Sequence, residues 1–119
     1  MQQSRTNPGG ESVDDPGPVT PRELAELLGA ETPLYLLDVR EPAEDAVARI
    51  EGSHLIPLRT LPTAIADIPR DREVVVYCHH GSRSARAVDF LRAHGVSARN
   101  LTGGIDRWSV EVDPSVRRY

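Results

Sequence analysis

The chain is poor in several things that would each point to a particular chemistry. Among 119 residues there is one cysteine, Cys78, so neither an intramolecular disulfide nor an all-cysteine metal site can form. There is no lysine: all 14 basic residues are arginine. We read this as a codon-composition bias, and it removes Schiff-base and Walker A chemistry, both of which need a lysine amine. Aromatic residues make up only 4% of the chain. The longest apolar runs, Leu34–Leu37 and Val74–Cys78, are strand-sized and far too short to span a bilayer. No apolar signal-peptide core follows Met1, which points to a cytoplasmic protein. With a net charge of −4 the chain lacks the basic field that binds nucleic acid.

What is present fits one soluble domain. Residues 1–18 are rich in glycine and proline and nearly free of apolar side chains, the composition of a disordered leader; an ordered domain is expected over 19–119. Thr20-Pro21-Arg22-Glu23 is a helix start, with a Thr cap, Pro at the first helical position and Glu three residues after the cap; Gly29 is placed to end the helix. Leu34–Val39 and Glu73–Cys78 read as strands covered on both faces, and His54–Ile56 and Ala98–Leu101 as shorter ones. Helices are expected from Pro42 through Val47, over Leu61–Ile68, from Ser82 or Arg83 to Gly95, and after Gly103-Gly104. Residues 113–119 read as a polar tail. Strands alternating with helices imply an α/β fold: a mainly parallel central sheet flanked by helices on both faces. In such sheets ligands bind beyond the carboxyl ends of the strands, where Cys78 and Asp38 lie.

The segment Cys78-His79-His80-Gly81-Ser82-Arg83-Ser84 carries the most chemical information. A buried strand ends in the cysteine, a short loop with one glycine follows, and a helix begins. Backbone N–H groups of that loop and of the first helical turn would favour a thiolate or a bound anion, and the thiolate is the nucleophile. Arg83 sits in the first helical turn, where a cation opposes the helix dipole. Its natural use there is to hold an anionic substrate, because the guanidinium makes forked bonds to oxyanions. Arg86 adds a second cation, and the Ser84 hydroxyl can serve the sulfur or cap the helix. His79 and His80 are expected to shape the pocket from solvent, and His54 and His94 to be structural or exposed. A zinc site built from Cys78, His79 and His80 is disfavoured, since adjacent ligands rarely close a tetrahedron. Asp38, Arg40 and Glu41 fit structural ion pairs better than catalytic roles.

From Val19 to Tyr119 the chain resembles a single-domain rhodanese. Cys78-His79-His80-Gly81-Ser82-Arg83-Ser84 is similar to that family's active loop. Asp38-Val39-Arg40-Glu41-Pro42, then Gly52 with Ile56-Pro57-Leu58, and finally Leu101-Thr102-Gly103-Gly104 through Trp108, resemble its other signatures. The ending Val112-Asp113-Pro114-Ser115-Val116 is most similar to rhodanese domains fused to the adenylating enzymes of molybdopterin and thiamine synthesis, although no adenylating domain accompanies it in these residues. The chain departs from the family at Asp45 and at Ala48-Arg49, outside the loop. The resemblance implies a sulfurtransferase that carries sulfur as a Cys78 persulfide. The donor would be thiosulfate or a persulfide, and the acceptor cyanide, a thiol or a protein. His79, His80, Gly81, Ser82, Arg83 and Ser84 would bind the substrate, and no metal or cofactor is implied. Two alternatives stay open. One is a phosphatase or arsenate reductase on a related fold, whose loop spaces Cys and Arg one residue further apart. The other is a non-catalytic module for sulfur relay or binding.

Overall fold

A computed structural model describes residues 16–119. Four strands form one fully parallel sheet in the order β2-β1-β3-β4, with β1 at Leu34–Asp38, β2 at His54–Leu55, β3 at Glu73–Tyr77 and β4 at Ala98–Asn100. Val19 extends the edge by a parallel bridge to Leu101. The helices are α1 (Pro21–Gly29), α2 (Pro42–Val47), α3 (Leu61–Ala64), α4 (Ser82–Ala93) and α5 (Gly104–Glu111).

The period-two alternation of the central strands divides the core into two layers. Leu37, Val39, Val74, Val76 and Cys78 face α3 and α4, meeting Leu61, Ala87, Val88 and Leu91. Leu36, Val75 and Tyr77 face α1 and α5, meeting Leu24, Ile105 and Trp108. Helices therefore cover both faces, as the uninterrupted apolar runs of β1 and β3 require. Among the described residues no helix is long and apolar enough to cross a membrane.

Local signals account for most element ends. Thr20 and Glu23 form a reciprocal capping box, the Glu23 N–H donating to Thr20 Oγ1 (3.1 Å) and the Thr20 N–H to Glu23 Oε1 (2.9 Å). α1 ends at Gly29 as expected, although Gly29 is itself its last helical residue and the left-handed residue beyond the helix is Glu31, at φ 56°. The expected Leu61–Ile68 helix is shorter. Only Leu61–Ala64 is α-helical, and 3-10 turns at Leu58–Thr60 and Ile65–Asp67 flank it.

The larger departure is the supposed polar tail. Val116 packs on the α1–α5 layer, the Ser109 hydroxyl donates to its carbonyl, and Arg118 pairs with Asp106 (2.9 and 3.1 Å). Polar composition conceals these contacts because they fold the segment back on the preceding helix α5 without any helical or strand periodicity of its own. Of the expected leader, residues 1–15 lie outside the described residues. The carbonyls of Gly17 and Pro18 accept from Arg99 on β4 (2.8 and 3.4 Å).

Candidate functional site

Cys78 immediately follows β3 and is 1% exposed. Gly81, at φ +117° and ψ −10°, reverses the chain as the residue before α4, a left-handed conformation that a side chain would strain. The turn brings the Gly81 N–H to 3.1 Å and the Ser84 N–H to 3.4 Å from Cys78 Sγ, with Ser84 Oγ at 3.3 Å. The sulfur at this point therefore sits among hydrogen-bond donors at a helix start.

Two neighbours brace that turn. Asn100, at the end of β4, accepts from the Ser84 hydroxyl through Oδ1 (2.6 Å) and donates from Nδ2 to the Gly81 carbonyl (3.1 Å). The start of α5 donates the Ile105 N–H to the Cys78 carbonyl (2.9 Å) and the Asp106 N–H to the His79 carbonyl (3.1 Å). Gly104, at φ +64°, allows this approach, since a Cβ there would collide with those same carbonyls. The Gly103-Gly104 motif thus acts by holding the backbone of the loop that carries Cys78.

The predicted site residues occupy distinct environments. Ser84 is buried beside the sulfur, and the cap of α4 is Gly81, so the Ser84 hydroxyl does not cap that helix. Ser82 opens α4 and is exposed, as is Arg86 on the same helix. His79 is less solvated than expected. Its ring lies between those of His80 (3.8 Å) and Tyr119 (3.9 Å), and burial, with a smaller contribution from His80, pushes its proton affinity below the usual histidine value. His80 is exposed. His79, His80 and Asp106 bring potential ligand atoms within 4.8 Å of one another, but both Asp106 oxygens already accept from Arg118, and Cys78 is not part of this group. His54 stacks on Tyr35 at 4.3 Å and His94 packs on Phe90 at 4.3 Å.

Arg83 reaches across to α2. Its Nη1 and Nη2 donate to the two oxygens of Glu44, at 2.7 and 2.9 Å. These bonds hold the Glu44 carboxyl well below its usual range, at about 2. Sequence reasoning missed Glu44, Asn100 and Tyr119. Only Asn100 carried a usable signal, its position at the carboxyl end of a parallel strand.

Beside the loop, at the end of β1, Arg40 and Asp38 form a fully buried pair. Arg40 Nε and Nη2 meet Asp38 at 2.8 and 2.7 Å, Nη2 also donates to the Ala48 carbonyl (2.7 Å), and Nη1 donates to the Tyr119 hydroxyl (2.9 Å). Burial alone would favour loss of the Arg40 proton, but the bonds to Asp38 and Tyr119 outweigh it. Glu41 pairs with Arg59 at the surface (3.0 Å).

A buried cysteine at a strand end thus faces the N–H groups of a helix start inside a parallel α/β sheet. The chain belongs to the rhodanese-like domain family, whose sequence pattern matches residues 20–111. It is 38% identical over 104 residues to the probable adenylyltransferase/sulfurtransferase MoeZ of Mycobacterium tuberculosis, a match that covers 85% of this chain and 26% of that protein. The chain therefore spans about a quarter of the length of that relative. It is 37% identical over 87 residues to a sulfurtransferase of Allochromatium vinosum, covering 72% of this chain and 81% of that one. The crystal structure of a rhodanese-related protein from Thermoplasma volcanium superposes with a TM-score of 0.77 at 35% identity, over 87% of this chain and 99% of that one.

Proposed function

We propose that this domain is a cytoplasmic sulfurtransferase that moves a sulfane sulfur from thiosulfate or a persulfide donor to a thiophilic acceptor through a persulfide on Cys78. The observation that carries the proposal is the convergence of the Gly81 and Ser84 N–H groups on a buried Sγ. Relatives named as sulfurtransferases support it.

The Cys78 thiolate attacks the outer sulfur of the donor. An S–S bond forms to Sγ while the donor's own S–S bond breaks, and sulfite or a carrier thiolate leaves with the electron pair. Cyanide, a thiol or a protein acceptor then attacks the outer sulfur of the persulfide, and the Cys78 thiolate departs. The loop N–H groups stay fixed while negative charge moves between Sγ and the outer sulfur, the preorganised arrangement that lowers such barriers. His79, His80, Ser82 and Arg83 line the approach and bind the donor or acceptor. No step requires a metal or a cofactor.

Only four residues separate Cys78 from Arg83. A loop this short suits a single sulfur on Sγ better than a tetrahedral phosphoryl group. After incubation with thiosulfate, the intact mass of the protein should rise by one sulfur atom and return on reduction. Cys78→Ser should keep its fold and lose all transfer to cyanide. Phosphate release from an aryl phosphate that depends on Cys78, without sulfur transfer, would overturn the proposal.

A further inference from the structure

The sulfur chemistry just described gives no task to Glu44, yet this carboxylate of α2 pairs with Arg83 in the first turn of α4. It lies 39 positions before Arg83, and both of its oxygens face the guanidinium fork. The same carboxylate accepts from the Glu41 N–H (3.1 Å) and from the Tyr119 hydroxyl (3.1 Å), which itself accepts from Arg40 Nη1. The Tyr119 ring lies flat on His79, 3.9 Å away with an 8° angle between planes. The start of α2, the first turn of α4 and residue 119 thus meet at one carboxylate, that of Glu44. The side chains of Arg83 and Glu44 are 32% and 21% exposed, so the pair sits at the mouth of the site rather than beneath it. Arg83 is the cation to which a small dianion near Cys78 would be drawn, and its fork is spent on an anion belonging to the protein.

We propose that Glu44 is a specificity-determining residue that fills Arg83 as an internal anion, so that the site favours a persulfide presented on a carrier over a small free dianion. The proposal rests on the sulfur-transfer reading and narrows its donor class. Thiosulfate brings two negative charges and releases sulfite, itself a dianion, so its use of Arg83 requires displacing a carboxylate from a forked, charge-assisted pair. A carrier persulfide presents one terminal sulfur, its S–S bond breaks with the carrier thiolate as leaving group, and Glu44 can remain in place. Tyr119 is the positioning residue that holds Glu44 toward Arg83.

Glu44→Gln removes the charge and keeps an oxygen for the Glu41 N–H, which preserves the start of α2. In the Cys78→Ser background, where no transfer takes place, calorimetric titration with thiosulfate should give binding about tenfold tighter with Glu44→Gln than without it, since hydrogen bonds to charged groups are the strong ones. With Cys78 intact, Glu44→Gln should raise kcat/KM for thiosulfate about tenfold through KM, while kcat/KM for cysteine persulfide changes less than about twofold. A merely structural Glu44 would depress both donors together and lower Tm. Thiosulfate binding left unchanged or weakened by Glu44→Gln overturns the proposal. If Cys78 gains no sulfur from either donor, the sulfurtransferase reading fails, and the calorimetric comparison still decides the role of Glu44.

Discussion

Two strand ends lie side by side in this sheet and are finished in opposite ways. Asp38 closes β1 and is in register with Tyr77, the last residue of β3. At the β1 end a carboxylate and a guanidinium are sealed together at 0% exposure, and Arg40 spends its remaining donors on the Ala48 and Glu44 carbonyls and the Tyr119 hydroxyl. At the β3 end a single sulfur faces N–H donors, and the nearby arginine stands partly in solvent, paired with Glu44. The forked contacts are nearly the same length in both pairs. Burial makes one a structural tie and leaves the other within reach of solvent, because water screens and competes only at the second.

The difference can be broken most severely at the sealed end. Arg40→Ala leaves the buried Asp38 charge without its cation, held only by the Tyr77 hydroxyl and the residue 40 N–H, and urea unfolding should show a loss of about 3–5 kcal/mol. The double variant Asp38→Asn, Arg40→Met should lose less than Arg40→Ala alone, because it leaves no unpaired charge.

Gly104→Ala comes next and attacks the open end through its backbone. Left-handed strain costs about 1–3 kcal/mol, and the new Cβ pushes the carbonyls of Cys78 and His79 away from the α5 N–H groups. Alkylation of Cys78 and sulfur transfer should both change well beyond what the stability loss accounts for, as read from initial rates at a temperature where the variant is folded.

Arg83→Ala should alter stability by no more than about 1 kcal/mol, as for other partly exposed pairs, while raising KM for thiosulfate with little change in kcat. Adding Glu44→Gln should recover part of that KM increase, because Arg83→Ala alone leaves an unpaired carboxylate beside the donor.

The smallest effect concerns His79. Burial lowers its proton affinity in the fold relative to the unfolded chain. Its contribution is therefore fully present above the ordinary histidine range and is lost as pH falls below about 6.5. His79→Phe keeps the ring stack and cannot protonate, so the fall in Tm between neutral and mildly acidic pH should be shallower than in wild type.

The two strand ends were not equally legible in the sequence. Cys78 and its loop could be read because each signal there is local: an apolar strand, a glycine at the turn, a helix start, a cation where the dipole disfavours one. Asp38, Arg40 and Glu41 read as structural ion pairs, and the structure joins Asp38 to Arg40 and Glu41 to Arg59. On α2, Glu44 reads as an ordinary acidic residue in a first helical turn, and its meaning comes from Arg83, 39 positions later. Tyr119 reads as part of a polar tail because its partners Arg40 and Glu44 lie 79 and 75 positions away. The α3 region reads as one helix because Leu61, Ile65 and Ile68 mimic helical spacing, which a short α turn between two 3-10 turns also provides. Composition and periodicity report contacts within a few residues, and pairings across the sheet ends lie beyond their reach.

The grip of α5 on the loop bears on the order in which the molecule is completed. The Cys78 and His79 carbonyls receive their donors from Ile105 and Asp106, 27 residues further along. The parallel pairing of β1 with β3 can form before that helix arrives, but the turn around the sulfur lacks two of its fixed points until α5 docks. During refolding, the recovery of the native rate of thiol alkylation should therefore lag behind the recovery of the sheet. The reactivity of one sulfur then serves as a clock for the last step of folding.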